Sequence, residues 1–171
     1  MDTLRLTLLR HAQAQSADNY PEDLERPLTR RGGIEAREMA RRLLRRALIP
    51  DFILASPAER TWATASILAT LCEIDPKQMQ CSRRLYLATP ETVWDVLTRR
   101  DWGCGHVLIC GHNPGLTQIA SRFGPALQPR DLPTAGLATA VWHRAQWTTL
   151  QPETAARCDA DDPDNLADLT D

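Results

Sequence analysis

The chain has no apolar run approaching the ~20 residues that cross a bilayer. Its start, Met1-Asp2-Thr3, leads straight into an alternating stretch and lacks the basic and apolar regions of a secretory signal. No membrane association is expected, and residence in the cytoplasm is. Cys72, Cys81, Cys104, Cys110 and Cys158 are odd in number and include no C-x-x-C pair, so neither a disulfide framework nor a zinc knuckle is predicted. There is no lysine-rich stripe with interleaved aromatics, the usual footprint of a nucleic-acid binder.

What is present suits a single soluble domain: 171 residues, 43% hydrophobic and 25% charged, enough to bury a core without staples. The net charge of −2 hides an asymmetry, because Glu153 to Asp171 carries −6 and the preceding residues +4. The folded part is mildly basic, which fits an anionic ligand. We expect a domain over residues 1–152 and an acidic, flexible tail over 153–171, since Cys158 to Asp171 lacks aromatics.

The order of the elements predicts a fold class. Leu4 to Leu9 reads as a buried strand that delivers Arg10 and His11 at its C-terminal end. After a polar stretch, Ile34 to Leu48 places Met39, Ala40, Leu43, Leu44, Ala47 and Leu48 at helical spacing, with Arg37, Arg41, Arg42, Arg45 and Arg46 on a solvated face. Asp51 to Ala55 reads as a strand feeding a helix opened by Ser56-Pro57, as N-cap and first turn. A third strand is expected over Met79 to Leu85, a helix over Pro90 to Arg99, and a strand over His106 to Cys110. Gly111-His112-Asn113-Pro114-Gly115 then turns into a helix over Leu116 to Phe123. Leu137 to His143 and Trp147 to Leu150 read as a closing hairpin around Arg144-Ala145-Gln146. Strands alternating with helices predict an α/β/α three-layer sandwich with a mostly parallel sheet and no large cap insertion. Gln13 to Pro27 and Gly124 to Pro133 are expected to rim the site.

In such folds ligands bind beyond the carboxyl ends of the strands. Arg10-His11, Arg60 in a helix first turn, and His112 all fall at that edge. A cluster of two guanidiniums and two imidazoles is costly unless an anion sits in it. A phosphate supplies it, accepting forked bonds from Arg10 and Arg60. A neutral imidazole aimed at phosphorus can act as the nucleophile. A metal site is not expected, because neither His11 nor His112 has a carboxylate or cysteine at ligand spacing and Arg10 would repel a cation. Cys110 lacks the arginine of a C-x5-R phosphate loop, so it is not read as a nucleophile. His106 and His143 are read as structural, Trp94, Trp102, Trp142 and Trp147 as core or interface, and Trp62 as lining a groove or packing on its helix.

Four ordered segments carry a resemblance: Leu8-Leu9-Arg10-His11-Ala12; Arg26-Pro27-Leu28-Thr29 with Gly32; Ser56-Pro57-Ala58-Glu59-Arg60-Thr61 with Thr64-Ala65; and Gly111-His112-Asn113-Pro114. From residue 4 to about 150 the chain resembles the histidine phosphatase superfamily, also called phosphoglycerate-mutase-like. Its length and Arg-Pro-Leu-Thr segment are similar to the SixA-type phosphohistidine phosphatase branch. The resemblance implies that His11 is the nucleophile that becomes phosphorylated and that Arg10, Arg60 and His112 surround the phosphate. Arg26 and Asn113 are assigned to substrate binding. Ala12 replaces the usual glycine and fits if the backbone there is not glycine-only.

Many relatives carry a glutamate general acid after the third strand. Here the candidates are Glu91, equally read as a favourable acid in a helix first turn, and Asp23, equally read as the ion-pair partner of Arg26. An imidazole leaving group departs already protonated, so a missing acid favours an N–P bond in the substrate. The expectation is a cofactor-free, metal-independent phosphatase acting on phosphohistidine in a protein partner, and hence in signal transduction. The alternatives are a small-molecule phosphomonoesterase or mutase-like enzyme with the same His11, and a phosphate- or phosphopeptide-binding module without turnover.

Overall fold

The computed structural model describes residues 3–124 and 131–164. Its elements are β1 (Thr3–Arg10), α1 (Arg30–Arg45), β2 (Phe52–Ala55), α2 (Glu59–Leu71), β3 (Met79–Cys81), α3 (Pro90–Thr98), β4 (His106–Gly111), α4 (Gly115–Ala120), β5 (Leu137–His143) and β6 (Arg157–Asp161). The strands form a sheet in the order β3-β2-β4-β1-β5-β6. The first four run parallel, β5 is antiparallel to β1, and β6 is antiparallel to β5.

Alternation along β1 explains the layers. Leu4, Leu6 and Leu8 enter the core shared with α3 and α4, while Leu9 joins the opposite core with Met39, Ala40 and Leu43 of α1 and Leu68 of α2. Helices thus cover both sheet faces, as expected of an α/β/α sandwich. Trp142 and Trp147 are buried in the α3/α4 core, and Trp94 and Trp102 pack against it. Thr29 caps α1 through the Gly32 N–H at 2.9 Å, and Thr89 caps α3 ahead of Pro90. Gly32 is required by close approach, because a Cβ there would lie 2.1 Å from the Gln13 carbonyl oxygen. No helix among the described residues is long and apolar enough to cross a membrane.

Several boundaries differ from the sequence reading. The acidic tail expected over 153–171 begins within the fold, because Arg157–Asp161 pairs with Leu137–Val141 as β6. Burial of Asp161 against Arg42, 2.7 Å apart, anchors this strand. Arg42 is therefore a core ion-pair partner and not part of a solvated arginine face. Trp147 to Leu150 is not a strand: Trp147–Thr149 is a 3-10 turn that buries the indole, whose Nε1 donates to the Cys104 carbonyl. The third strand ends at Cys81, and Arg83–Leu85 is a 3-10 turn. Helix α2 starts at Glu59 with Ala58 as its N-cap, so Ser56 does not cap it. Residues 125–130 of the expected rim and 165–171 of the expected tail lie outside the described residues.

Candidate active site

Strands β1 and β4 are adjacent, with Arg10 opposite Gly111. After β1 the chain leaves for α1 on one face, and after β4 for α4 on the other. Their carboxyl ends therefore open a crevice at a topological switch point. His11 and His112 emerge there side by side, with ring centroids 5.3 Å apart and an interplanar angle of 64°. The His11 N–H donates to the Gly111 carbonyl at 3.1 Å and fixes this exit geometry. Ala12, fully buried, is not among the residues with positive φ, so alanine fits where relatives carry glycine. Its N–H donates to Thr64 Oγ1, and that hydroxyl donates to the Arg60 carbonyl. Helix α2 is thereby tied to the β1 exit.

His11 has a defined polarity. Its Nδ1 lies 2.9 Å from the Ala12 carbonyl oxygen, so Nδ1 carries the proton and Nε2 presents a lone pair. The Arg60 Nε donates to that Nε2 at 3.3 Å. Burial, reinforced by the positive charges of Arg60, Arg10 and Arg26, pushes the His11 pKa down to about 4, against the opposing bond to Ala12. The imidazole is neutral and nucleophilic at pH 7.

His112 is buried and also neutral, its pKa pushed down to about 3 by burial, then by His11 and Arg60. The Ser56 hydroxyl lies 2.7 Å from its Nε2 and accepts the Ala58 N–H at 3.4 Å. With Ser56 as the donor to Nε2, the His112 proton lies on Nδ1. That Nδ1 is buried without a hydrogen-bond partner among the described residues, an arrangement suited to an oxyanion.

Arginines surround the pair. The buried Arg60 donates through its terminal nitrogens to the Asp23 carbonyl and, at 2.7 Å, to Asp23 Oδ2. Arg26 donates to Asp23 Oδ1 at 2.7 Å and to the Gln15 carbonyl at 2.9 Å. The Tyr86 hydroxyl donates to Asp23 Oδ2 at 2.8 Å, and its ring stands edge-on to His112. Burial pushes the Asp23 carboxyl up, but bonds from Arg26, Tyr86 and Arg60 outweigh it and hold the group well below the usual carboxylate range. Asp23 is thus an ionised bridge between two arginines, a poor proton donor near neutral pH. Tyr86 belongs to no motif, and nothing in the sequence singled it out.

Arg10 faces the other rim. It donates to the Leu132 carbonyl at 2.6 Å and to Asp131 at 3.3 Å, and its buried Nε has no partner among the described residues. Asn113 also donates to Asp131 and the Leu132 carbonyl, and it accepts from Thr117 Oγ1. Asn113, expected to contact substrate, ties residues 131–132 to α4 in this structure. Glu91 lies in the first turn of α3, exposed, and bonds to none of the cluster residues. The start of α3 nevertheless abuts the crevice, since a Cβ on Gly115 would lie 2.3 Å from the Ala88 carbonyl oxygen. Cys110 is fully buried, and burial pushes its thiol far up, so it is no nucleophile. Trp62 is partly exposed on α2. Among the described residues no group of three or more His, Cys, Asp or Glu side chains is placed to hold a metal ion.

The model of the histidine phosphatase superfamily (branch 1) matches residues 6–85, a span that includes Arg10, His11, Arg26 and Arg60. The fold is similar to SixA from Agrobacterium tumefaciens, with 28% identity, a TM-score of 0.73, and coverage of 84% of this chain and 96% of that one. SixA from Nakamurella multipartitia is 22% identical with a TM-score of 0.75, covering 95% and 98% of the two chains. A structure of the protein histidine phosphatase SixA complexed with tungstate gives 23% identity and the same TM-score, over 95% and 99%. No curated protein matches the chain. Residues 6–85 thus match the histidine phosphatase superfamily in sequence, and the chain as a whole has the fold of the SixA structures.

Proposed function

We propose that the chain is a metal-independent phosphatase that removes phosphate from phosphohistidine on a protein partner through a covalent intermediate on His11. The observation that carries this reading is the state of His11: Nδ1–H held by the Ala12 carbonyl, Nε2 bearing a lone pair, and a pKa near 4 that keeps it so. In the first step Nε2 bonds to phosphorus as the P–N bond of the substrate breaks; the substrate ring, already carrying a proton from solvent on its other nitrogen, keeps the electron pair of that bond and leaves as neutral imidazole. In the second, water attacks phosphorus, the P–Nε2 bond breaks and inorganic phosphate leaves. Arg10, Arg60, Arg26 and the Nδ1–H of His112 face the charge on the equatorial oxygens.

Phosphohistidine is favoured over alkyl phosphates because neither candidate acid is suited to the role. Asp23 is held ionised between Arg26 and Arg60, and Glu91 stands apart from the cluster. An alkoxide leaving group needs a proton, whereas an imidazole departs without one from the enzyme. A cavity of about 310 Å³ bounded by Glu22, Asp23, Leu24, Pro57, Arg83 and Tyr86 adjoins Asp23 and leaves room for groups that flank the phosphate. The SixA structure that holds tungstate, an oxyanion of phosphate-like geometry, supports the same reading.

The test is a panel of phosphohistidine protein, phosphoserine peptide and sugar phosphates, run with wild type and His11→Ala, with and without EDTA. Turnover of phosphohistidine should be fastest, insensitive to EDTA, blocked by vanadate and lost in the variant. Faster hydrolysis of the alkyl esters would transfer the assignment to a small-molecule phosphomonoesterase. Retention of bound label without release would make the chain a binding module.

A further inference from the structure

The end of the sheet opposite His11 carries a second cluster of positive charge. Arg5 sits on the central strand β1, six residues before His11 and about 20 Å from it at ~3.3 Å per residue. In register across the sheet, Arg5 is opposite Val141 of β5, and Val141 is opposite Arg157 of β6. The two guanidiniums therefore rise from the same face two strands apart, about 10 Å at the usual strand spacing. Between them is a cavity of about 280 Å³ lined by Arg5, Arg46, Arg157, Thr139, Val141 and Asp159. Arg46 is paired with Asp159 and Asp161. Neither Arg5 nor Arg157 has an ion pair among the described residues, and the Arg5 Nε is buried without a hydrogen-bond partner there. A guanidinium turned into the helix-facing side of a central strand is costly unless a negative group meets it.

The floor of this cavity has a fixed hydrogen-bond direction. His106 Nδ1 lies 3.2 Å from the Ile49 carbonyl and donates to it, so its Nε2 must accept. Thr7 Oγ1 is 2.9 Å from that Nε2 and donates to it. Thr139 Oγ1, 3.0 Å from Thr7 Oγ1, then donates to Thr7. The only proton of the Thr139 hydroxyl is committed away from the cavity, and the group can only accept there. The rim thus offers guanidinium donors and the floor offers an acceptor. An anion that answers both needs charge and a proton of its own.

We propose that Arg5, Arg157 and Thr139 form a second anion site, on the sheet edge opposite His11, that takes hydrogen phosphate. Its charged oxygens bridge the two guanidiniums and its P–OH donates to Thr139 Oγ1. Sulfate, fully deprotonated at neutral pH, has the same shape and charge but no proton to give, and it binds less well.

Residue-resolved titration of the full chain at pH 7, by backbone amide NMR with phosphate against sulfate at matched ionic strength, tests the assignment. In wild type, the amides of Arg5, Val141 and Arg157 should shift saturably with phosphate, about tenfold more tightly than with sulfate, the scale of one hydrogen bond to a charged group. Thr139→Val should bring phosphate down to the sulfate level. Arg5→Met should abolish the shifts. Arg157→Ala, on an exposed side chain that cannot unsettle the core, should weaken them by about tenfold. Phosphate shifts at His11 and basal hydrolysis should persist in Arg157→Ala, which separates this site from the cleft. The proposal is overturned by the absence of saturable shifts at the three amides, by equal affinity for sulfate in wild type, or by an Arg157→Ala titration that matches wild type.

Discussion

Asp23 joins Arg26 to Arg60, each guanidinium donating to a different oxygen of the one carboxylate at 2.7 Å. A single side chain from the long connection after β1 therefore fixes the spacing of two cations contributed by separate parts of the chain. Asp23→Asn keeps the shape but removes the charge that holds them. We expect kcat/KM to fall by about tenfold to a hundredfold, the scale of one or two lost charge-assisted hydrogen bonds, with the loss shared between kcat and KM. Tyr86→Phe, which removes one donor to the same carboxylate, should cost about fivefold. If Asp23 instead supplied a proton, the asparagine variant would lose turnover on alkyl esters while retaining it on phosphohistidine; an equal loss on both substrates is the expected outcome.

We assign the Ser56 hydroxyl as the donor to His112 Nε2, which places the ring proton on Nδ1. Ser56→Ala removes the donor at Nε2 and lets the proton settle on either ring nitrogen. Nitrogen-15 shifts of the imidazole should report the Nδ1–H form in wild type and a mixture in the variant. We expect kcat/KM to drop by about tenfold, in line with one weakened donor to the developing charge. A wild-type spectrum showing the Nε2–H form would remove the argument.

Acidification should loosen the fold before it titrates the site. Unfolded histidines protonate near pH 6.5, whereas burial lowers His11 and His106 to about 4 and His112 to about 3. Between those values the unfolded chain binds more protons than the folded one, so stability falls as the pH is lowered from about 6.5 toward 4. Tm should decrease between pH 7 and pH 5 in wild type, and less so in His106→Asn. The acid limb of kcat/KM, which reports the free enzyme, should lie well below pH 6.5.

The buried pair of Arg42 and Asp161 ties β6 to α1. Asp161→Ala leaves Arg42 buried without that partner and should destabilise the chain by about 3–5 kcal/mol, measured by denaturant unfolding. Arg42→Met together with Asp161→Leu should recover much of the loss, because the uncompensated charge is then gone.

Much of the architecture was legible because its signals are local. Leu4 to Leu9 and His106 to Cys110 are continuous apolar runs, and buried parallel strands need little else. The carboxyl-terminal strand was not legible, because an edge strand held through Asp159 and Asp161 reads as acidic tail until Arg42 and Arg46 are seen opposite it. Trp147 to Leu150 misled in the other direction, its apolar ends matching a strand while the backbone turned to bury the indole. In the site, Arg10, His11, Arg60 and His112 each end or follow a strand within a recognisable segment. The Tyr86–Asp23 link joins a motif-free tyrosine to a loop carboxylate, and Ser56 bonds across 56 positions to His112; such pairings exist only in three dimensions.

Strand β1 is central, yet its neighbours β4 and β5 are supplied by residues beyond 105. A nascent amino-terminal half has no partner for it, so His11 stays unplaced until most of the chain has left the ribosome. Long-range pairing of this kind is slow to form. Release of phosphate by freshly synthesised chains would therefore serve as a clock for the docking of β4 and β5 on either side of β1.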